Sequence, residues 1–119
     1  LINLLPLTPL TTDLLDAEAF RLLPRGAALI NVGRGATVVD IDLLAVLDDG
    51  HIRHAVLDVF RQEPLPPDHR FWKHPSVTIT PHNAAESDPD ALASYVLGQI
   101  ARLERGLPLE NVIDRKRGY

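Results

Sequence analysis

The stretch from Ala27 to Gly35 reads Ala-Ala-Leu-Ile-Asn-Val-Gly-Arg-Gly, an apolar run that ends in an arginine between two glycines. Its apolar part, Ala27 to Val32, has the length and composition of a buried strand. Three further runs share these properties: Leu1 to Leu5, Ala55 to Phe60 and Val77 to Thr80. Because the runs are continuously apolar rather than alternating, they predict a parallel sheet covered on both faces.

Helical segments separate these strands. Asp16 is a candidate N-cap for a short helix that extends through Leu23 and stops at Pro24. Asp40 opens a second helix, which ends at Gly50. Strands that alternate with helices along the chain predict an α/β fold of the doubly wound type.

A longer helix is predicted near the C-terminus. Asp88 is a candidate N-cap with proline at the next position, and Gly106 is the predicted end. Its apolar stripe is formed by Leu92, Val96, Ile100 and Leu103. A stripe of this kind requires a surface to cover it, whereas the basic tail from Asp114 to Tyr119 is expected to be peripheral.

Composition excludes several classes of protein. The chain has 119 residues, which fits one domain, and its 12 basic and 16 acidic residues give a net charge of −4. This charge favours neither nucleic acid nor an anionic membrane as a partner. The absence of cysteine makes a reducing cytoplasm the expected location. No apolar run approaches the ~20 residues that a transmembrane helix needs.

The start of the chain shows neither an initiator methionine nor the basic region of a signal peptide. It opens directly in a predicted buried strand, Leu1 to Leu5. We therefore expect the sequence to be a fragment of a longer protein.

In a parallel α/β sheet, ligands bind at the carboxyl ends of the strands. Arg34 follows one of these ends, and its guanidinium is suited to binding a carboxylate through paired hydrogen bonds. Gly33 and Gly35 allow a sharp turn there. From local sequence alone, a solvated turn arginine is an equally good interpretation.

His82 follows the fourth strand and is a candidate proton donor near neutral pH. Glu63 or Asp58 could pair with a histidine, although exposed acids are usually only solvated. The other histidines are expected in loops or on the surface: His51, His54, His69 and His74. After the proline-rich loop, Phe71 and Trp72 are expected to pack rather than bind. Composition does not decide among these alternatives.

Three segments in the same order and spacing carry a family resemblance: Asn31 to Gly35, Leu57 to Pro64, and Thr80 to Ala85. They resemble the successive signatures of the D-isomer-specific 2-hydroxyacid dehydrogenases. The opening Leu5 to Thr11 is similar to the Pro-Leu-Thr-Pro segment that lies beside the nicotinamide in that family. The short interval from Glu63 to His82 and the ending from Asp114 look most like the glyoxylate/hydroxypyruvate reductase A subfamily.

The resemblance implies a role for each candidate. Arg34 would bind the substrate carboxylate and polarise the 2-oxo group, and His82 would be the general acid. Glu63 would bond the second imidazole nitrogen and stabilise the imidazolium. Asp58 would accept a hydrogen bond from the nicotinamide carboxamide. The cofactor would also contact Arg34 and His82, with a floor formed by Pro6, Val32, Gly33 and Ala84.

The same resemblance implies the protein's organisation. Residues 1–86 would be the C-terminal half of a Rossmann-type dinucleotide-binding domain, and residues 87–119 a helix and tail that return to a substrate domain. The glycine-rich phosphate turn would precede Leu1, so the 119-residue chain alone is expected to be inactive. The implied cofactor is NADP or NAD, with NADP preferred, and the implied substrate is glyoxylate or hydroxypyruvate. The full-length protein would be a homodimer.

Two alternatives remain open. The same family fold also serves dinucleotide-sensing corepressors, which an intact Arg34, Glu63 and His82 set does not exclude. The chain could also be a short protein with a structural role. One departure from the family pattern is His54, which replaces a common glycine and is expected to affect packing.

Overall fold

The computed structural model describes residues 1 to 118, and these contain four parallel strands in one sheet. The strands are β1 (Ile2–Asn3), β2 (Ala27–Asn31), β3 (Ile52–Leu57) and β4 (Val77–Ile79). Their spatial order is β1-β2-β3-β4, and each pairs in parallel with the next. The predicted parallel α/β architecture is confirmed.

Three α-helices accompany the strands: α1 (Ala17–Arg21), α2 (Asp40–Asp48) and α3 (Pro89–Glu104). Asp16 is the N-cap of α1, as predicted, and its carboxylate accepts a bond of 2.9 Å from the backbone N–H of Ala19. The helix α2 begins at Asp40, but Val39 occupies its N-cap position, so Asp40 is already helical. Short 3-10 turns span Gly35–Thr37 and Arg70–Lys73.

The bounds of β3 and β1 differ most from the predicted strands, whereas β2 and β4 each end one residue before the predicted end. β3 begins at Ile52, earlier than predicted, because Arg53 is exposed and breaks the apolar run that marked the strand. It ends at Leu57, since the N–H of Asp58 makes a last bond of 3.0 Å to Asn31 before the chain leaves the sheet. β1 covers two residues of the predicted five, and Ile2 is 62% exposed because β1 is an edge strand.

The core lies on one face of the sheet. Across the strands, the row with Leu29 and Ala55 is fully buried, whereas the next row, with Ile30 and Val56, is half-buried. The helices contribute most of the remaining apolar side chains: Phe20, Leu43, Leu44, Val46 and Leu47. This core packs against one face of the sheet and holds the parallel strands in place, with their carboxyl ends at one edge.

The structure divides the chain into two compact units, one up to Ala84 and one from Ala85 onward. In the second unit, Asp88 caps α3 and Pro89 is its first residue. The predicted apolar stripe of this helix is exposed by about half or more within the described residues. Tyr119, the end of the predicted basic tail, lies outside the described residues. None of the helices described is both long and apolar enough to cross a bilayer.

Candidate active site

Four chain segments converge where the parallel strands end. They follow β1 at Leu4, β2 at Val32, β3 at Asp58 and β4 at Thr80. All the predicted site residues lie in these segments, within the first compact unit. The sheet therefore brings segments up to eighty residues apart in sequence to one edge.

A buried network of neutral side chains joins the first two strand ends. Asn3 Nδ2 donates to Asn31 Oδ1 at 2.9 Å and to Thr37 Oγ1 at 2.7 Å. Thr37 Oγ1 in turn donates to the carbonyl of Arg34 at 2.7 Å, and Asn31 Oδ1 accepts from the N–H of Gly33. These bonds fix the loop of residues 33–38, hereafter the Arg34 loop. Sequence reasoning missed this network, although two asparagines at equivalent ends of apolar strands were a signal.

Gly33 and Gly35 are required by close approach of other segments. A Cβ on Gly35 would lie 1.9 Å from the carbonyl carbon of Phe60, and one on Gly33 would lie 2.9 Å from the carbonyl oxygen of Leu5. Positive backbone φ angles occur at other glycines, among them Gly26 and Gly50. The expected sharp turn is therefore not the reason for these two glycines, because the neighbouring backbones leave no space for a side chain.

Arg34 is exposed at the tip of this loop, and its Nη1 donates to the carbonyl of Gly33 at 2.7 Å. It lines a cavity of about 260 Å³ together with Glu63 and His82. The remaining lining residues are Leu7, Gly35, Ala36, Phe60 and Arg61. The structure thus brings the three predicted catalytic residues to one cavity.

Glu63 and His82 form a direct pair. Glu63 Oε2 lies 2.8 Å from His82 Nδ1, and Glu63 Oε1 accepts from the N–H of Phe60 at 2.8 Å. The Phe60 N–H holds the pKa of Glu63 below its usual value, burial opposes this effect, and His82 adds to it. Both oxygens of the carboxylate are engaged, so the imidazole is oriented and its Nε2 is directed away from Glu63.

Asp58 is buried and holds the loop of residues 80–84, hereafter the His82 loop. One of its oxygens accepts from Thr80 Oγ1 and from the N–H of Asn83 at 3.1 Å, and the other accepts from the N–H of Ala84 at 3.0 Å. Burial acts to raise the pKa of Asp58, but these three donors together with His82 bring it below its usual value. Asp58 is therefore a charged anchor for the loop.

The Asp58 anchor also accounts for the backbone of His82. His82 has a φ of +55°, a left-handed conformation that is uncommon for residues other than glycine. The bonds from Thr80, Asn83 and Ala84 to one carboxylate fix the chain on both sides of it. Strain of this kind persists where surrounding bonds determine the conformation, and it is concentrated at functional sites.

The predicted cofactor-floor residues are distributed over the same edge. Pro6 is exposed and its carbonyl accepts from Thr11 Oγ1 at 2.6 Å, while Val32 is half-buried and its N–H donates to Asn3. Together with Gly33 and Ala84, they lie at three different strand ends. No group of three or more possible metal ligands is found among residues 1–118.

A second cavity, of about 670 Å³, is also lined by Glu63 and His82. Trp72 lines it and is 52% exposed, with its Nε1 donating to the carbonyl of Pro66. The expectation that Trp72 packs was therefore wrong, whereas Phe71 is buried as expected. The aromatic pair shares one 3-10 turn, and successive residues of such a turn face different surroundings.

The remaining histidines have structural contacts. The Nε2 of His51 lies 3.0 Å from the carbonyls of Phe20 and Leu23, and that of His74 lies 3.2 Å from Asp48. His54 lies in strand β3 rather than in a loop, and its Nε2 makes an exposed contact of 2.9 Å with Thr78 Oγ1. These contacts leave His82 as the histidine at the strand ends in the described part of the chain.

Comparison with known proteins identifies the family to which this sequence and fold belong. Residues 1–84 match the model of the D-isomer specific 2-hydroxyacid dehydrogenase, NAD binding domain. A D-isomer specific 2-hydroxyacid dehydrogenase from Xanthobacter autotrophicus Py2, in complex with NADPH and MES, is 45% identical with a TM-score of 0.96. The match covers 99% of this chain and 49% of that one.

Two further solved structures are similar. The NADPH-dependent glyoxylate/hydroxypyruvate reductase from Sinorhizobium meliloti, in complex with NADP and sulfate, is 50% identical with a TM-score of 0.93. A probable 2-hydroxyacid dehydrogenase from Rhizobium etli CFN 42, in complex with NADP, HEPES and L(+)-tartaric acid, is 46% identical with a TM-score of 0.89. Each match covers 99% of this chain and 39% of the other, so the chain spans less than half the length of these relatives. The chain belongs to the D-isomer specific 2-hydroxyacid dehydrogenase family.

Proposed function

We propose that the protein containing this chain reduces a small 2-oxo acid, glyoxylate or hydroxypyruvate, to the 2-hydroxy acid with a reduced nicotinamide cofactor. The observation that carries this proposal is the Glu63 and His82 pair, joined at 2.8 Å, beside Arg34 around one cavity. This cavity combines an anion-binding group with an oriented proton donor, which are the two functions that this reduction requires.

In this proposal Arg34 binds the substrate carboxylate and polarises the adjacent carbonyl. As the carbonyl carbon is reduced, its oxygen gains negative charge. A protonated His82 neutralises this charge by donating a proton from Nε2, because Nδ1 is engaged with Glu63. Glu63 stabilises the imidazolium and holds the ring in place.

The cofactor supplies the hydride when it is bound. Asp58 accepts three internal donors, and a carboxylate has about four acceptor positions, which leaves one for the carboxamide N–H of a nicotinamide. Pro6, Val32, Gly33 and Ala84 offer apolar and backbone surface at the same strand ends. We prefer NADP over NAD, because the three similar structures contain NADPH or NADP.

Turnover of glyoxylate by the native protein, followed as loss of NADPH absorbance, tests the proposal. We expect activity with NADPH above that with NADH, and His82→Ala should lower kcat by about a hundredfold or more with little change in cofactor affinity. Dinucleotide binding without turnover of either 2-oxo acid would instead support a sensing, corepressor-like protein.

We also propose that the native protein is a homodimer in the reducing cytoplasm. The exposed apolar side chains support the homodimer, and the absence of cysteine supports the reducing cytoplasm. Light scattering of the native protein would test the first, since a monomer at micromolar concentration would contradict it.

A further inference from the structure

Arg61 connects three segments that surround the smaller cavity. Its guanidinium Nη2 pairs with the carboxylate of Asp13 and donates to the carbonyls of Val38, at 2.7 Å, and Ala36, at 3.4 Å. Asp13 belongs to the turn of residues 8–13, and the two carbonyls belong to the Arg34 loop. Arg61 itself lies between Phe60 and Glu63, in the segment that orients His82.

The turn of residues 8–13 is independently attached to the Arg34 loop. The N–H of Asp13 donates to the carbonyl of Ala36 at 3.0 Å. Just after the turn, the N–H of Leu15 donates to the carbonyl of Thr37 at 2.9 Å. Asp13 has a φ of +56°, a conformation that is uncommon for a residue with a side chain. This conformation is therefore held by bonds from both the Arg34 loop and Arg61.

The segment with Arg61 is in turn in direct contact with both halves of the site. Its Phe60 peptide lies against Gly35, with no space for a Cβ, and the Phe60 N–H binds Glu63 at 2.8 Å. Glu63 binds His82. The bonds of Arg61 thus lie on the path that sets the spacing between Arg34 and the Glu63 and His82 pair.

We propose that Arg61 is a positioning residue that joins the turn of residues 8–13, the Arg34 loop and the Glu63 segment, and thereby fixes Arg34 at its working distance from His82. All three contacts come from one terminal nitrogen, Nη2, so Arg61 serves as a charged donor at the end of a long side chain that reaches a carboxylate and two backbone carbonyls. The ion pair itself is half-exposed and so contributes little to global stability. Its effect is on local geometry, where a displacement of about 1 Å can reduce the rate about a hundredfold.

This inference rests on the proposed reductase function, and Arg61→Ala in the native protein tests it. We expect kcat/KM for glyoxylate to fall about tenfold, with a rise in KM and a fall in kcat, because Arg34 is displaced while Glu63 keeps its own bond to His82. The KM for the cofactor should not change. Arg61→Lys keeps a positive charge opposite Asp13 but carries it on a shorter side chain, so it should restore only part of the lost kcat/KM.

Arg21→Ala is the matched control. Arg21 forms a similarly exposed ion pair with Asp49, which is remote from the cavity, so this variant should lose a similar small amount of stability with normal kinetics. Asp13→Asn is a milder variant, because asparagine tolerates a positive φ and the bonds of Arg61 to the two carbonyls remain. It should show a smaller rise in KM in the same direction, and it keeps the test valid if Arg61→Ala does not fold.

Amide hydrogen exchange separates this inference from the proposed function. In Arg61→Ala we expect the Phe60 and Asp13 amides to exchange about tenfold faster than in Arg21→Ala, whether or not the protein reduces glyoxylate. Absence of turnover in the native protein would defeat the proposed function alone. If Arg61→Ala matched Arg21→Ala in both exchange and KM, Arg61 would be an ordinary surface ion pair and the inference would be wrong.

Discussion

The Arg34 loop and the His82 loop face the same cavity but are held in different ways. The buried contacts of the Arg34 loop are made by neutral groups, through the Asn3, Asn31 and Thr37 network and the contact of Gly35 with the Phe60 peptide. The His82 loop is fixed by one buried charge, the carboxylate of Asp58. The comparison indicates that pH and substitution of a buried charge act mainly on the proton-donating side, whereas steric substitutions act mainly on the anion-binding side.

The largest expected effect is on the steric side. Gly35→Ala would place a Cβ 1.9 Å from the carbonyl carbon of Phe60, and backbone on both sides must then move. We expect the free energy of unfolding to fall by about 3 kcal/mol or more, as is typical of severe overpacking. Chemical denaturation of the native protein measures it.

Gly98→Ala is the control for this substitution. An added Cβ at Gly98 meets nothing within 4 Å among the described residues, and the position lies inside α3. This variant should therefore be more stable by roughly 0.5–1 kcal/mol, because alanine is the better helix former. Similar losses at both positions would show that the loop is not sterically fixed.

Asp58→Asn tests the charge that holds the His82 loop. The amide keeps one acceptor oxygen but presents an NH₂ to donors that the second oxygen now serves, so we expect a loss of about 2 kcal/mol in the free energy of unfolding. Because the pKa of Asp58 is lowered in the folded state, its charge contributes stability above the ordinary value of about 4. That contribution is lost as the pH falls through the lowered pKa.

The difference in stability between the native protein and Asp58→Asn should thus be largest near pH 7 and shrink below about pH 4. Denaturation curves recorded from pH 3 to 8 would measure it. A difference that stayed constant over this range would mean that the charge of Asp58 does not hold the His82 loop.

A third test sharpens the difference between charge and geometry at the anion-binding side. Arg34→Lys keeps the positive charge but loses the planar pair of donors, so kcat/KM for glyoxylate should fall about tenfold through both constants. Arg70→Lys, in an exposed ion pair with Asp48 away from the cavity, is the matched control. Near-normal kinetics for Arg34→Lys would make Arg34 a solvated turn residue.

The apolar runs were sufficient to predict the parallel sheet, because they are local signals. The family motifs placed Arg34, Glu63 and His82 at strand ends that meet at one cavity, and their catalytic roles stay a prediction. The start of β3 was missed because the exposed Arg53 interrupts the apolar run, at a point where the register between β2 and β3 shifts. The Asp58 anchor and the Arg61 connections were missed for another reason. These contacts depend on which backbone N–H and carbonyl groups lie close together in the folded chain. Local sequence patterns do not show this.

The smallest expected effect concerns the bond between Glu63 and His82. Glu63→Gln keeps an acceptor for the Phe60 N–H but removes the negative charge that stabilises the imidazolium of His82. The attraction between this carboxylate and the His82 ring contributes to the lowered pKa of Glu63, and its loss should move the basic limb of the reduction profile to lower pH. We expect a displacement of less than about one pH unit, because the Glu63 side chain is 38% exposed and water screens part of the interaction. Glu18→Gln, which removes the same charge from the distant helix α1, should leave the profile unchanged. The measurement is the pH dependence of kcat/KM for glyoxylate in both variants, and an identical profile for Glu63→Gln and Glu18→Gln would show that Glu63 orients His82 without controlling its charge.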